Sequence, residues 1–563
     1  MREIEVVMTL RNSNFDTQEE NKQTLTVKIV LLTVLLGLAL SCGGGGGSIQ
    51  PPPRGATSYY VDCSAATDGD GTQASPWNSL SGANATIFGP GDQLLFKSGT
   101  TCKGVLSPVG SGSSDAPIVI EGYGTGTPPI IDGGTSNAVI SLTDQQYWEI
   151  RNLEIAGGNR FGVFISGNTP NSPLNHFHLI NLNVHGAHYT STSTGDSGEV
   201  FISPAGVHQI VNDVLLDGVS VHDTQVSEGI IVEAGGDFNT QQAACQQTPT
   251  PATALGNNVT IQNSTAHDVY GDGILILAVS NGLMQNNVVY HSGLCPNCGR
   301  TTSGLWQWCC HSCTIQGNES YANKTGGGPY DGGDFDIDLY NNDNIVQYNY
   351  GHDSDGYCVL FVGDSHAPSS NNIFRYNICA NNGQNGAIAP QGEAYVTGWV
   401  SGVQIYNNTF YSNPAIPSAA FLANANPGSD SRLFENNIIY SAVPQMIQTP
   451  PGYTLDNNIY WTTSTSSPTW QWNGATYTDF SAYQSTSGQD AHSSHTDPML
   501  NDPTYHTLGR PSSAFTLQTG SPARSAGTNV CLGINGCSMG TQDFFGNPLP
   551  NGSGYDIGAN QAP

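Results

Sequence analysis

Positive charge is what this sequence has least of. Fifteen Lys and Arg stand against 44 Asp and Glu in 563 residues, a formal net charge of -29. Such a surface repels nucleic acid and anionic membranes, which argues against both as partners of the folded body. Charge of either sign is sparse, at 10% of residues. Long apolar runs are missing too: Ile29 to Leu40, behind Lys28, is too short to span a bilayer and has the length of a signal-peptide core. What remains is 37% hydrophobic and carries 68 Gly, the profile of a long, turn-rich all-β body rather than a helical or disordered chain.

The apolar run leads into Leu38-Ala39-Leu40-Ser41-Cys42, then Gly43 to Gly47. This resembles a bacterial lipoprotein signal, whose cysteine is lipidated and becomes the mature N-terminus; Ala39 departs from the usual leucine. A plain secretory leader is the alternative, and either one implies export, to the outer membrane or cell surface, the periplasm or the medium. The expected organisation is a leader at 1–42, a flexible Gly/Pro linker at 43–56 and one β-domain at 57–563. Membrane contact is expected only through lipid on Cys42. The other twelve cysteines form an even number, suited to disulfides in an oxidising compartment. Cys63 with Cys102 and Cys531 with Cys537 are expected local staples. Two CxxC pairs in the cluster Cys295, Cys298, Cys309, Cys310 and Cys313 have the look of a zinc knuckle, against which export favours disulfides.

An asparagine recurs beside one short apolar strand after another: Asn152, Asn181, Asn263, Asn287, Asn318, Asn349, Asn377, Asn408, Asn437 and Asn458. From Asn263 onward the steps are 24, 31, 31, 28, 31, 29 and 21 residues. A period of that size marks a solenoid, each repeat burying its apolar side against its neighbours. Stacked asparagines satisfy one another and the turn backbone, so the column can be buried. The N-terminal segment Tyr59-Tyr60-Val61-Asp62, Ser75-Pro76-Trp77 and Gly89-Pro90-Gly91-Asp92, with the ladder and the closing Tyr555-Asp556-Ile557-Gly558-Ala559, resembles secreted proteins of the pectin-lyase-like fold. The resemblance implies an all-β right-handed parallel β-helix with an N-terminal cap segment, and names no particular enzyme family.

Each coil has a second strand, and alternation assigns its faces. Ile230, Ile274, Leu305, Phe335 and Tyr357 are expected inward, as are Val232, Ile276, Gln307, Ile337 and Val359. Ile231, Leu275, Trp306, Asp336 and Cys358 are expected outward, beside Glu233, Leu277, Trp308, Asp338 and Leu360. Exposed aromatics beside carboxylates suit a sugar ring, which stacks its C–H face on indole and gives its hydroxyls to carboxylates. Asp336 and Asp338 are two residues apart, about 7 Å between Cα atoms, within the range that glycoside hydrolysis requires of its carboxyl pair. They are the expected catalytic pair, with Asp355 as an alternate acid. Trp306, Trp308, Glu233, Asp272 and His267 are the expected substrate contacts. The expected partner is a polysaccharide, with no required cofactor.

Three turn aspartates, Asp331, Asp334 and Asp353, are the candidates for a structural calcium ion. Asp331-Gly332-Gly333-Asp334-Phe335-Asp336 also resembles the calcium site of some β-helical pectate lyases, which makes a calcium-dependent lyase the rival enzyme. Against it stands the absence of a basic residue at the outward positions. A non-catalytic glycan-binding or adhesin solenoid is the third reading. Finally, His185, His222, His267 and His291 recur four places after Asn181, Gly218, Asn263 and Asn287, as expected of a stacked turn residue.

Overall fold

A computed structural model describes residues 55–562 apart from 190–196, 237, 248–253, 297–300, 367, 387, 414, 416, 426–431, 535–536, 551 and 553. The leader, Cys42 and most of the linker lie outside the described residues. Residues Ala56–Pro563 form one compact unit.

Short strands bounded by turn residues stack coil on coil into three long parallel sheets. The first has 14 strands, from Ser58–Val61 to Tyr453–Asp456. The second has 14, from Thr101–Lys103 to Ser494–His495, and the third has 13, from Ala138–Thr143 to an antiparallel closing strand, Ala475–Tyr477. The fold is the right-handed parallel β-helix expected of the period. Ile120, Ile150, Leu179, Leu216, Ile261, Met284 and Ile315 stand in register inside the first sheet, all buried. A solenoid core is built from such columns, one apolar side chain per coil.

The asparagine ladder is present, but it begins later than the sequence suggested. From Asn287 to Asn458, each backbone N–H and each amide donates to Oδ1 of the next asparagine, at 2.8–3.4 Å. Asn152, Asn181 and Asn263 belong to a neighbouring column, with φ of 55°, 51° and 52°. Asparagine tolerates that left-handed backbone better than most residues, so it recurs there for a conformational reason. Ser264 holds the ladder position beside Asn263, its N–H donating to Asn287 Oδ1 at 3.0 Å.

The histidine column is corrected in one member. His185, His222 and His267 stack at 4.9 and 5.2 Å between ring centroids on the outer face of the second sheet, and Tyr290, Tyr321 and His352 continue the stack. His291 stands one residue outside it, bonded through Nδ1 to Asp268 at 3.0 Å. Of the zinc-knuckle cysteines, Cys298 lies outside the described residues and the others do not form a metal set. Cys309 is bonded to Cys245, Cys295 is disulfide-bonded, and Cys310 and Cys313 are buried thiols in the coil core. The expected staples Cys63–Cys102 and Cys531–Cys537 are present.

Candidate active site

The third sheet holds the expected register through Asp336. Ile231, Leu275, Trp306 and Asp336 are consecutive partners on its outer face. The inward column Ile230, Ile274, Leu305 and Phe335 stands beside them. One coil later the pattern slips by two: Phe335 pairs with Val359 and Asp336 with Leu360. Residues 354–358 form the bend before the strand Val359–Gly363. Cys358 turns into the core, where it is bonded to Cys379. Tyr357 packs instead in the apolar cluster on the sheet's outer side, which reverses both expected directions. Gln307 does face inward, fully buried, with neither amide atom hydrogen-bonded to a described residue.

The Tyr357 hydroxyl lies 2.8 Å from Ser303 Oγ and 3.4 Å from Asp331 Oδ1, and its hydrogen bond also favours the ionised form of Asp336. Ser303 N–H donates to Asp272 Oδ1 at 2.8 Å. Around this buried phenol three carboxyls gather: Asp331, Asp336 and Asp338. Burial pushes Asp331 up to about 6. Burial, opposed by the Leu339 N–H at 2.7 Å and reinforced by Asp331 and Asp364, pushes Asp338 up to about 7. Asp336 is raised well above the usual carboxylate range, first by burial and then by the charges of Asp338, Asp331 and Asp272. Like charges taken out of water cannot all ionise, so the set retains protons near neutrality.

The three carboxyls differ in access. Asp336 is 7% exposed with Oδ1 sealed and unpartnered, whereas Asp331 and Asp338 are half-buried. Tyr330, immediately before Asp331, is 42% exposed. Trp306 is half-buried, its indole N–H without a described partner. Trp308 is not the open platform expected of it. It is 5% exposed, packed edge-on against Tyr340 at 5.4 Å between centroids, in a cluster that the Cys245–Cys309 disulfide ties to the helix Phe238–Cys245.

The remaining expected residues are dispersed. Glu233 pairs in register with Leu277 and accepts from Ser203 Oγ at 2.6 Å, strands away from Asp336. His267 is on the second sheet. Asp355 is held by Lys324 at 3.1 Å and Asn385 at 3.2 Å. Of the three calcium candidates, Asp331 joins the cluster, Asp334 points into the coil, bonded by Ser354 at 2.7 Å and Asn323 at 3.1 Å, and Asp353 is bonded to His352 at 2.7 Å and His506 at 3.0 Å. Among the described residues these three are not a group with converging donor atoms. Sequence reasoning missed Ser303 and Tyr357 as parts of the cluster, and took Asp331 for a turn residue. Alternation says nothing about residues in bends; the adjacent Tyr330 was the available signal.

A family profile described as the right handed beta helix region matches residues 211–438. No curated protein matches the chain. Among solved structures, the selenomethionine derivative of a GH136 lacto-N-biosidase from Eubacterium ramulus superposes with a TM-score of 0.52 at 19% identity, over 72% of this chain and 67% of that one. The native form of that protein gives 0.50 and 20%, over 72% and 68%. The A-module of the mannuronan C-5 epimerase AlgE4 from Azotobacter vinelandii gives 0.46 and 15%, over 70% and 99%. At these identities the first two likenesses establish the right-handed parallel β-helix and leave the reaction to be argued from the site.

Proposed function

We propose that this protein is an exported glycoside hydrolase, anchored through Cys42, acting on a neutral or lightly charged polysaccharide at the outer face of the third sheet. The observation that carries the reading is the buried set Asp331, Asp336 and Asp338, raised by burial and mutual repulsion beside Trp306. Glycoside hydrolysis needs one carboxyl protonated and one ionised at the same pH, which such a set provides. Asp331 and Asp338, the two with solvent access, are the pair that touches the sugar. Asp336 lies in the strand beside Asp338 and acts on the pair by charge, holding a proton in the set. Trp306 and Tyr330 offer apolar faces to sugar rings. That a lacto-N-biosidase shares the fold is consistent with this chemistry.

Elimination is less well supported. It needs a basic side chain beside the reacting carbon, whereas the charges weighing on this cluster are those of carboxylates and not of Lys or Arg, and Lys324 is engaged by Asp355.

The test is a polysaccharide and oligosaccharide screen with mass analysis of products, followed by Asp331→Asn, Asp336→Asn and Asp338→Asn. Asp331→Asn and Asp338→Asn should each lower kcat by about 10²–10⁴-fold with little change in KM. Full activity in both variants would remove the proposed pair. Products absorbing in the ultraviolet, with no water added, would identify a lyase instead.

A further inference from the structure

Four coils before the carboxyl cluster, on the outer face of the first sheet, two imidazoles and two carboxylates converge. Glu149 stands on the strand Trp148–Arg151, His176 and His178 on the next, Leu174–Ile180, and Asp213 on the one after, Val211–Asp217. His176 and His178 share the outer face because they flank the inward, fully buried Phe177. Their ring centroids are 3.9 Å apart. His176 and Asp213 both have left-handed backbone, φ 64° and 55°, between the paired Asn175/Asn212 and Phe177/Val214.

The donor atoms are close and face one another. His176 Nε2 is 3.1 Å and His178 Nδ1 3.8 Å from Glu149 Oε1. Ligands at 2.0–2.1 Å around a tetrahedral ion lie roughly 3.3 Å apart, between those two separations. Among the described residues, Glu149, His176 and His178 are the group whose donor atoms all lie within 4.8 Å of one another. The side chains of Glu149, His176 and His178 are 8%, 14% and 20% exposed.

Outer contacts are arranged to orient these donors. Asp213 Oδ2 lies 2.7 Å from His176 Nδ1, which fixes that ring with Nε2 directed at Glu149. Such a carboxylate behind a ligating imidazole sets the tautomer and strengthens the ligand. Asp213 Oδ1 accepts from Asn258 at 2.8 Å and lies 3.5 Å from His178 Nε2. Arg151 holds the second oxygen of Glu149, leaving Oε1 as the available ligand atom.

We propose that Glu149 Oε1, His176 Nε2 and His178 Nδ1 bind a divalent ion of the zinc class, with water in the fourth position and Asp213 as the orienting carboxylate. Two imidazole nitrogens and one carboxylate oxygen suit zinc rather than calcium or magnesium, which take oxygen. The ion ties the strand carrying Glu149 to that carrying the histidines, and through Asp213 to a third coil. Its role is to clip coils together, at a distance from the carboxyl cluster. The alternative use of the same atoms is a hydrogen-bonded bridge from His176 to both Glu149 and Asp213, which leaves no ligand nitrogen on that ring.

The full chain, stripped with chelator, reloaded with Zn²⁺ and passed through a desalting column, should retain one more equivalent of zinc than His178→Ala or His176→Gln, whose folding is checked by circular dichroism melting. Co²⁺ added to the stripped parent should give the intense visible d–d bands of a tetrahedral site, a readout that needs no variant. Equal zinc in the parent and a folded variant, or a parent without those bands, would overturn the proposal.

Discussion

At Asp336, placement and titration are linked by one cause. A carboxyl on an outer strand face is ordinarily solvated, but this one is sealed beside two others and its ionised form is disfavoured. A group whose folded-state pKa is raised contributes stability that is present below its unfolded value near 3.8 and is lost as pH rises through the folded value. Asp336→Asn should therefore change the melting temperature little at pH 4 and raise it increasingly towards pH 8, as read by circular dichroism melts across pH. A melting difference that does not grow with pH would show that Asp336 ionises as freely as an exposed carboxyl. On the proposed glycosidase reading, the parent's rate should fall above about pH 7 as Asp331 and Asp338 lose the proton they hold between them, with the apparent values belonging to the pair and not to one residue. At this scale Trp306 and Asp336 were legible because pleat alternation is local. Asp331 and Tyr357 were not, because both sit in bends where no period applies.

Among the elements, the buried ladder gives the clearest contrast. Asn349 Oδ1 accepts both the N–H and the amide of Asn318, at 2.9 and 3.0 Å, while its own amide donates to Ile315 O and Asn377 Oδ1. Asn349→Ala strands buried donors on the coil before and leaves acceptors unmet on the coils around it. It should cost about 2–4 kcal/mol, measured as a lowered urea midpoint. The Asn263 side chain makes a single exposed bond to Asp217 from a left-handed turn, and Asn263→Gly should cost only about a few tenths of a kcal/mol in the same measurement. Equal losses would mean that the two columns are one. In sequence they looked like one, since both place asparagine beside the same strand. The difference is one residue of register, which reverses a side chain from the turn surface to the core.

Over the whole molecule, the coils make a face and the loops decide how much of it is open. The Cys245–Cys309 disulfide fastens the Phe238–Cys245 helix to the strand end carrying Trp308. Replacing both cysteines with Ser should expose Trp308, seen as a red shift in tryptophan fluorescence, and lower glycan turnover. The main melting transition should move little, because the solenoid core does not include that disulfide. An unchanged emission spectrum would show that packing alone holds the cover in place. The sequence by itself determined the parallel β-helix and the outward direction of Trp306 and Asp336, since a coil-length repeat and a pleat of period two are properties of neighbouring residues. Tertiary structure alone decided that Asp331 joins Asp336 and Asp338, that Trp308 is covered, and that Glu149, His176 and His178 meet. Those outcomes depend on how bends of unequal length stack and which loop lies over them, and no local period encodes either.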